Sequence, residues 1–266
     1  MRFSSLHTHT TYSDGKNTVR ENIESAIEKN MLSLGFSDHS FTPCDTSYCM
    51  KLENYPKYIA EIAEMKREYE GRLPIFCGIE KDYYSKINNE DFDYVIASVH
   101  YIIKGGEVHP IDHSPAQQQM CINDAFGGSR LDMAKAYFEL VVENARVSAP
   151  DVIGHFDVIN KFSLMPEDSE EYIKIASEAL VETAKYCKRF EINTGGISRG
   201  WRKSPYPNKN LLTELLNLGC EVVINSDSHN KDNLDFFFEE SAEILREAGF
   251  KSYSYLSPSG FQKLPL

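Results

Sequence analysis

Histidine and carboxylate side chains recur in this chain with the types and spacing of a metal site. His7 and His9 form a His-x-His pair at the end of an apolar stretch. Side chains at positions i and i+2 of a strand lie on one face, so this pair can bind one cation. The other members of the set are spread along the chain, most of them after a short apolar run: Asp14, His39, Glu80, His100, His155, Asp227 and His229. Imidazole nitrogens and carboxylate oxygens are ligands for Zn, Mn and Fe, so this set indicates a multinuclear metal site and hydrolytic chemistry.

Apolar strands that alternate with amphipathic helices carry these positions. The predicted strands are 3–7, 32–37, 73–79, 93–99, 152–155, 190–193 and 221–225. The first helix follows a capping-box pattern at Thr18 and Glu21, and further helices are predicted near 53–70, 129–148, 168–188, 208–218 and 232–248, before an extended tail from Ser252. This alternation predicts a mainly parallel sheet. Because an open sheet would spread the strand ends along a line too wide for one metal cluster, we expect a closed (β/α) barrel of seven or eight strands.

The segment 101–128 interrupts this rhythm. It contains two Gly-Gly pairs and two prolines without a sustained hydrophobic period, and it is predicted to be a long loop that is functional or mobile. His109 and His113 within it are interpreted as ordinary loop residues, with contact to a substrate from a lid as the alternative. Residues 1–266 are otherwise predicted to form a single domain, with this loop as an insertion.

Charge and composition restrict the partners. The formal net charge of -12 argues against a broad surface for nucleic acid, because proteins that bind long polyanions carry basic patches. Bound divalent ions would place positive charge at one site, which favours a small phosphorylated substrate. The amino terminus lacks the apolar core of a signal peptide, and no apolar run has the length of a membrane helix. With scattered cysteines and no Cys-x-x-Cys pair, these features predict a cytoplasmic protein without a membrane partner; they carry no signal for its oligomeric state.

The complete set of motifs resembles the PHP family, which is named for polymerase and histidinol phosphatase domains. The matching motifs are His7-Thr8-His9 with Asp14, Asp38-His39, Glu80, Ser98-Val99-His100, Gly154-His155-Phe156-Asp157 and Ser226-Asp227-Ser228-His229. Within the family the chain is most similar to the stand-alone histidinol-phosphate phosphatases. Its length supports this, as does the run 192–196 followed by Arg199 and Pro205-Tyr206-Pro207.

This resemblance implies a distorted (β/α)7 TIM-like barrel, with three divalent ions (Zn, Mn or Fe) at the carboxyl ends of the strands. It assigns His7, His9, Glu80 and Asp227 to the first ion, Glu80 with His100 and His155 to the second, and Asp14, His39 and His229 to the third. The implied activity is hydrolysis of L-histidinol phosphate to L-histidinol and phosphate in histidine biosynthesis. A hydroxide held between two cations would attack phosphorus, because the cations lower the pKa of the bound water.

Four residues are candidates for roles in that chemistry. Arg199 is expected to bind the phosphate through its fork of donors or to form a salt bridge, and Lys161 is the second candidate for the phosphate. Some relatives carry arginine just before this lysine, where this chain has Asn160. Asp227 could accept a proton from the attacking water, and His39 or a metal-bound water could protonate the leaving oxygen.

Other residues and other functions remain open from sequence alone. Asp38 and Asp157 could orient neighbouring ligands or cap helices, and Trp201 and Tyr206 could stack on an imidazole or pack on the surface. A nucleotide phosphatase or nuclease on the same barrel is the first alternative function. A metal-binding interaction module without catalysis is the second.

Overall fold

The computed structural model describes residues 2–266, and its elements are numbered here in chain order. The strands are β1 (Ser4–Ser5), β2 (Ser33–Phe36), β3 (Ile75–Asp82), β4 (Tyr94–Ser98), β5 (Tyr101–Lys104), β6 (Glu107–Pro110), β7 (Val152–Ile153), β8 (Arg189–Asn193), β9 (Glu221–Asn225), β10 (Ser252–Ser257) and β11 (Gly260–Pro265). Seven of them form one sheet in the order β1-β2-β3-β4-β7-β8-β9, and all neighbours are parallel. The predicted parallel barrel is therefore confirmed, with seven strands.

Helices connect the strands on the outside of the sheet. They are α1 (Val19–Glu28), α2 (Tyr55–Glu68), α3 (Pro115–Met120), α4 (Arg130–Ser148), α5 (Glu170–Thr183), α6 (Gly195–Ser198), α7 (Lys209–Asn217) and α8 (Phe238–Glu247). The predicted capping box is present at the start of α1. Glu21 N donates to Thr18 Oγ1 at 3.3 Å, and Thr18 N donates to Glu21 Oε2 at 2.8 Å, so two unpaired amides of the first turn are satisfied.

The barrel closes where the chain leaves β1 and β9. Thr8 and Ser228 form a parallel bridge just beyond these strands. His9 N donates to Ser228 O at 2.9 Å, and Ser228 N donates to His7 O at 3.1 Å. We call this junction the β1–β9 seam; it lies at the carboxyl ends of both strands.

Tyr94 fills the interior of the barrel. Its hydroxyl donates to the carbonyl oxygens of Leu6 and of Phe36, the latter at 3.0 Å, and thereby ties β4 to β1 and β2. A Cβ atom at Gly35 or Gly78 would collide with the Tyr94 side chain, so glycine is required at both places. The interior is thus a packed core, and ligands can enter only at the ends of the strands.

The segment 101–128 is ordered, and the expectation that it lacks regular structure is wrong. Strands β5 and β6 form an antiparallel hairpin, and α3 and a π-helical turn at Cys121–Ala125 follow. Gly105 and Gly106 have φ angles of 63° and 87°, as the two-residue turn of a hairpin requires. The Gly-Gly pair that suggested an irregular loop therefore marks a tight turn.

The extended tail forms the hairpin β10–β11 at the opposite end of the barrel. Ser33 Oγ donates to Leu256 O at 2.9 Å, and Ser254 Oγ donates to Glu221 Oε2 at 3.2 Å. Ser33 and Glu221 are the first residues of β2 and β9, so the hairpin covers the amino ends of the strands. Within residues 2–266, no helix is both long enough and apolar enough to cross a membrane.

Candidate metal centre

The fold brings all the predicted ligands to one end of the barrel. His7 and His9 follow β1, His39 follows β2, and Glu80 lies on β3. His100 follows β4, His155 follows β7, and Asp227 and His229 follow β9, while Asp14 lies on the loop before α1. Their nitrogen and oxygen atoms form four overlapping groups in which all ligand atoms lie within 4.8 Å of one another. The convergence predicted from strand ends is therefore present in the fold.

Glu80 lies at the centre of the cluster and is 1% exposed. Its Oε2 atom lies 2.7 Å from His39 Nδ1 and 3.3 Å from His7 Nε2. Its Oε1 atom lies 2.9 Å from His155 Nε2 and 3.3 Å from His100 Nε2. The two oxygens thus face different histidine pairs, which is the arrangement expected of a carboxylate shared by two cations.

Asp227 contacts a second group of histidines, on the β9 side of the cluster. Its Oδ1 atom lies 3.2 Å from His9 Nε2, 3.6 Å from His229 Nδ1 and 3.8 Å from His7 Nε2. Asp227 has φ = 48°, a left-handed conformation that is costly for a residue with a side chain. The backbone here holds the carboxylate over the cluster at a cost in local strain, as is common at functional sites.

Asp14 contacts a third group of histidines, at the solvent-facing side of the cluster. Its Oδ1 atom lies 3.2 Å from His229 Nε2, 3.6 Å from His39 Nε2 and 4.0 Å from His9 Nδ1. The side chain of Asp14 is 35% exposed and that of His229 is 22% exposed, whereas His9 is fully buried. This group therefore lies nearer to solvent than the groups around Glu80.

The chemistry of the set fits divalent cations. Among residues 2–266, the buried atoms without a hydrogen-bond partner include four that face the cluster: His7 Nε2, both ring nitrogens of His9 and Glu80 Oε2. A buried polar atom without a partner is costly, and several of them converging on one point require a ligand that accepts their lone pairs. The centre is a binding site for divalent metal ions.

Electrostatics keep the carboxylates ionised. Burial alone would raise the pKa of Glu80, but His39 and other imidazoles outweigh burial and hold that pKa well below its ordinary value. Burial is likewise outweighed at Asp227, where the guanidinium of Arg199 is the first of several groups that lower the pKa. Burial lowers the pKa of His9 well below its ordinary value, whereas at His7, His39 and His100 the neighbouring carboxylates outweigh burial and raise the pKa. Ionised carboxylates and neutral imidazoles are the forms that bind cations.

A cavity of about 390 Å³ opens over the cluster. It is lined by Asp14, His39, Tyr48, His100, Asp112, His113, Gln117, His155, Val158, Lys161, Arg199, Asp227 and His229. His113 therefore lies in the wall, which agrees with the substrate-contact alternative and not with an ordinary loop role. His109 pairs with Ile102 in the β5–β6 hairpin and is not part of the wall.

Arg199 forms the salt bridge that was one of its two expected roles. Its Nη2 atom lies 2.8 Å from Asp227 Oδ2, and Nη1 donates to the Asp227 carbonyl oxygen at 3.1 Å. The side chain is 31% exposed and lines the cavity, so its guanidinium is open to the cavity. A Cβ atom at Gly195 would lie 2.6 Å from Arg199 Nη2, so the glycine makes room for this pair.

Lys161 lines the cavity, but Asn160 does not. Lys161 Nζ donates to Asp112 O at 2.7 Å and lies 3.2 Å from Asp112 Oδ2. The Asn160 side chain is buried and donates to Asp157 Oδ2 at 3.1 Å, while its carbonyl oxygen accepts from Arg202 Nη1 at 2.9 Å. On this side of the cavity, Lys161 is thus the cationic side chain in the wall.

Asp38 and Asp157 orient loops near the ligands. Asp38 Oδ1 accepts from Thr10 N at 2.8 Å and from Ser13 Oγ at 2.6 Å, which holds the loop that carries Asp14. Asp157 Oδ2 accepts from Asn208 N at 2.9 Å, at the residue that caps α7. Asp38 therefore acts on the ligand loop and not as a helix cap.

The two aromatic candidates lie outside the cavity wall. Trp201 packs edge-on against Phe162, with ring centroids 4.9 Å apart, which fits the packing alternative. Tyr206 is buried, and its backbone pairs with that of Asn193 beside β8.

Sequence reasoning missed Glu191 and four cavity residues, Tyr48, Asp112, Gln117 and Val158. The Glu191 carboxylate is fully buried and lies 2.7 Å from His7 Nδ1. A glutamate between Phe190 and Ile192 in a buried strand was the available signal, because parallel strands usually carry continuous apolar runs. Tyr48, Asp112 and Gln117 lie on segments without a periodic pattern, and only the tertiary structure brings them to the wall.

Comparison with known proteins agrees with this geometry. The PHP domain pattern matches residues 5–195. A Deinococcus radiodurans protein named "Probable histidinol-phosphatase" is 30% identical over 263 residues, covering 94% of this chain and 95% of the relative. The histidinol-phosphatase of Bacillus subtilis is 26% identical over 262 residues, covering 89% and 97%.

Solved structures share the fold. A candidate histidinol phosphatase from Listeria monocytogenes superposes with a TM-score of 0.77 at 22% identity, covering 89% of this chain and 99% of that one. Histidinol phosphate phosphatase from Lactococcus lactis, complexed with Zn, L-histidinol and phosphate, gives a TM-score of 0.72 at 20% identity, covering 98% and 99%. With its PHP pattern, its 30% identical relative and this barrel, the chain belongs to the PHP family.

Proposed function

We propose that this chain is a metal-dependent phosphomonoesterase that hydrolyses L-histidinol phosphate to L-histidinol and phosphate, a step of histidine biosynthesis. The observation that carries the proposal is the cluster of nine ligand side chains beneath a cavity that also presents Arg199 and Lys161. Relatives that align over nearly the whole chain bear the name of this activity. A single PHP-type domain spanning 1–266 is part of the proposal.

Three divalent ions, Zn, Mn or Fe, would occupy the centre. His7, His9 and Asp227 would hold the first, with Glu80 shared between it and a second held by His100 and His155. Asp14, His39 and His229 would hold the third, as their contacts at the entrance support. When bound, such ions supply a water of lowered pKa and positive charge for the phosphate oxygens.

The side chains of the protein would bind and orient the phosphate. Arg199 offers a planar fork of donors on the cavity wall, and Lys161 offers a mobile ammonium there. Phosphate monoesters react through a loose transition state, so positioning and charge stabilisation supply most of the catalysis. Because Arg199 Nη2 already pairs with Asp227 Oδ2, the same guanidinium would align the carboxylate and the phosphate.

Two groups are proposed to move protons. Asp227 Oδ1 faces the cluster while Oδ2 is held by Arg199, so Oδ1 is the atom that would accept the proton of the attacking water. His39 lies on the cavity wall and is the candidate donor to the leaving oxygen. Its Nε2 faces Asp14, where the third ion would bind, so the proton would have to come from Nδ1, which faces Glu80; a metal-bound water is the alternative donor.

The remaining wall suits a small leaving group that carries a ring. Tyr48 and His113 meet edge-on with ring centroids 5.7 Å apart, while Asp112 in the same cavity is paired with Lys161. A cavity of about 390 Å³ accommodates a small phosphomonoester and excludes a nucleic acid duplex from the cluster. The net charge of -12 also disfavours long polyanions.

Phosphate release from competing substrates tests the proposal. The purified protein, loaded with Zn, Mn or Fe in turn, is assayed with L-histidinol phosphate and with nucleoside monophosphates at matched concentrations. We expect kcat/KM to be at least about 100-fold higher for L-histidinol phosphate, and chelation to abolish release. If kcat/KM is instead about 100-fold higher for nucleotides, the protein is a nucleotide phosphatase or nuclease. If the protein releases no phosphate although all its metal sites are filled, it is a non-catalytic interaction module.

A further inference from the structure

Strand β8 ends at the metal centre but supplies none of the nine ligands. It carries Glu191, whose side chain is 0% exposed and points toward the cluster beneath His7. A fully buried carboxylate on the one barrel strand without a ligand requires a physical reason, because an ionised group far from water is costly unless it is well paired.

Four hydrogen bonds satisfy Glu191. Its Oε1 atom lies 2.7 Å from His7 Nδ1 and accepts from Asn225 Nδ2 at 2.9 Å. Its Oε2 atom accepts from His155 N and from Asn193 Nδ2, both at 2.8 Å. An ionised carboxylate accepts about four hydrogen bonds, and all four are used here. In a glutamine side chain, an NH2 group would replace one of the two oxygens and would face two hydrogen-bond donors.

The bond to His7 decides which ring nitrogen faces the cluster. With Nδ1 donating to Glu191, the lone pair lies on Nε2, which is 3.3 Å from Glu80 and 3.8 Å from Asp227. A histidine that binds a metal commonly gives its other N–H to a carboxylate, which fixes the tautomer and the orientation of the ring.

The same carboxylate aligns neighbouring strand ends. Through His155 N it holds the end of β7, and through Asn225 it holds the end of β9. The other side-chain atom of Asn225, Oδ1, accepts from Leu6 N at 2.7 Å beside β1. One side chain therefore connects the segments that carry His7, His155 and the β9 ligands.

We infer that Glu191 is the positioning residue of the metal centre: its carboxylate orients His7 and fixes the strand ends so that the ion at His7 is bound tightly. This inference rests on the proposed metal centre, and its test uses metal binding without the phosphatase substrate. Its failure is thus distinguishable from failure of the proposed activity.

The test is Zn²⁺ titration of the metal-free protein against a chromophoric chelator. Glu191→Gln keeps the shape and removes the charge, and it should weaken the tightest Zn²⁺ binding by about 10- to 100-fold. Asp151→Asn is the control, because it makes the same chemical change at a partly buried carboxylate that accepts from Val95 N at 2.9 Å, at the amino ends of β4 and β7 and away from the metal centre. It should bind Zn²⁺ as the unmodified protein does.

A double-mutant cycle separates positioning from general packing. In a His7→Ala background, adding Glu191→Gln should cause a smaller loss of Zn²⁺ affinity than in the unmodified protein, because the contact with His7 is already absent and only those with His155 N and Asn225 remain. Unchanged affinity in Glu191→Gln, an equal loss in Asp151→Asn, or an equal loss with and without His7 would each overturn the inference. If Glu191→Gln does not fold, Glu191→Asp keeps the charge, shortens the reach to His7 and enters the same cycle.

Discussion

Glu80 is the residue whose replacement should damage the centre most. Its buried carboxylate lies within 3.7 Å of nitrogens from five imidazoles, those of His7, His9, His39, His100 and His155. Loss of a group that only orients a metal ligand lowers metal affinity or activity by about 10- to 100-fold. Glu80 is itself placed as a ligand shared by two cations, so Glu80→Gln should lower kcat/KM by at least about 100-fold.

The assay is phosphate release from L-histidinol phosphate at saturating metal, together with the metal content of the purified variant. Glu221→Gln is the matched control: it makes the same chemical change at the first residue of β9, at the opposite end of the barrel. That variant should retain the activity of the unmodified protein. If Glu80→Gln keeps more than about a tenth of kcat/KM with its full metal content, the shared carboxylate is assigned wrongly.

Two further predictions follow from local geometry. Gly195→Ala places a Cβ atom 2.6 Å from Arg199 Nη2 and 2.8 Å from Asp227 Oδ2. The pair must separate, and kcat/KM should fall by about tenfold or more while the metal content is kept, as steady-state kinetics and metal analysis can measure. The pKa of Glu221 is lowered because a hydrogen bond from Lys263 and nearby charge outweigh burial, which alone would raise it. A lowered carboxyl pKa stabilises the fold above the ordinary pKa and loses that effect as the pH falls, so thermal unfolding between about pH 5 and pH 3 should show a smaller loss of stability in Glu221→Gln than in the unmodified protein.

The metal ligands were predictable because residues that follow successive parallel strands of a barrel come together at one end of it. Glu80 and His155 are 75 positions apart, yet Glu80 lies near the end of β3 and His155 just after β7, and parallel strands of one barrel end at one mouth. The hydrophobic pattern therefore located the site once the alternation of strands and helices had been recognised. The number of strands was left at seven or eight, since pairing across the β1–β9 seam depends on Thr8 and Ser228, two small polar residues without a pattern.

What sequence could not supply were contacts made by single side chains over long range. The pairing of Arg199 with Asp227 joins the end of α6 to the loop after β9, and both a phosphate contact and a salt bridge were compatible with its position in the chain. The wall residues Tyr48 and Asp112 come from irregular segments. The hairpin within 101–128 was hidden because glycine pairs mark both tight turns and unstructured loops.

The position of the β1–β9 seam couples metal binding to closure of the barrel. Thr8 and Ser228 form the bridge, and the residues on either side of each in the chain are ligands: His7 and His9 next to Thr8, and Asp227 and His229 next to Ser228. Among the described strands, β1 and β9 are not paired through their backbones. Side-chain bonds join them, from Leu6 N to Asn225 Oδ1 and between Ser5 and Ser226, and the backbone bonds of the seam lie at the metal centre.

Removal of the ions should therefore loosen this seam first, because a ligand that binds only the closed form stabilises it. Hydrogen exchange measured by mass spectrometry, with and without a chelator, should show faster exchange in peptides containing the amides of His9 and Ser228. Peptides from α4, on the outside of the barrel, serve as the control and should change little. Equal acceleration throughout the chain would mean that the ions stabilise the whole fold uniformly, and an unchanged seam would mean that the barrel closes without them.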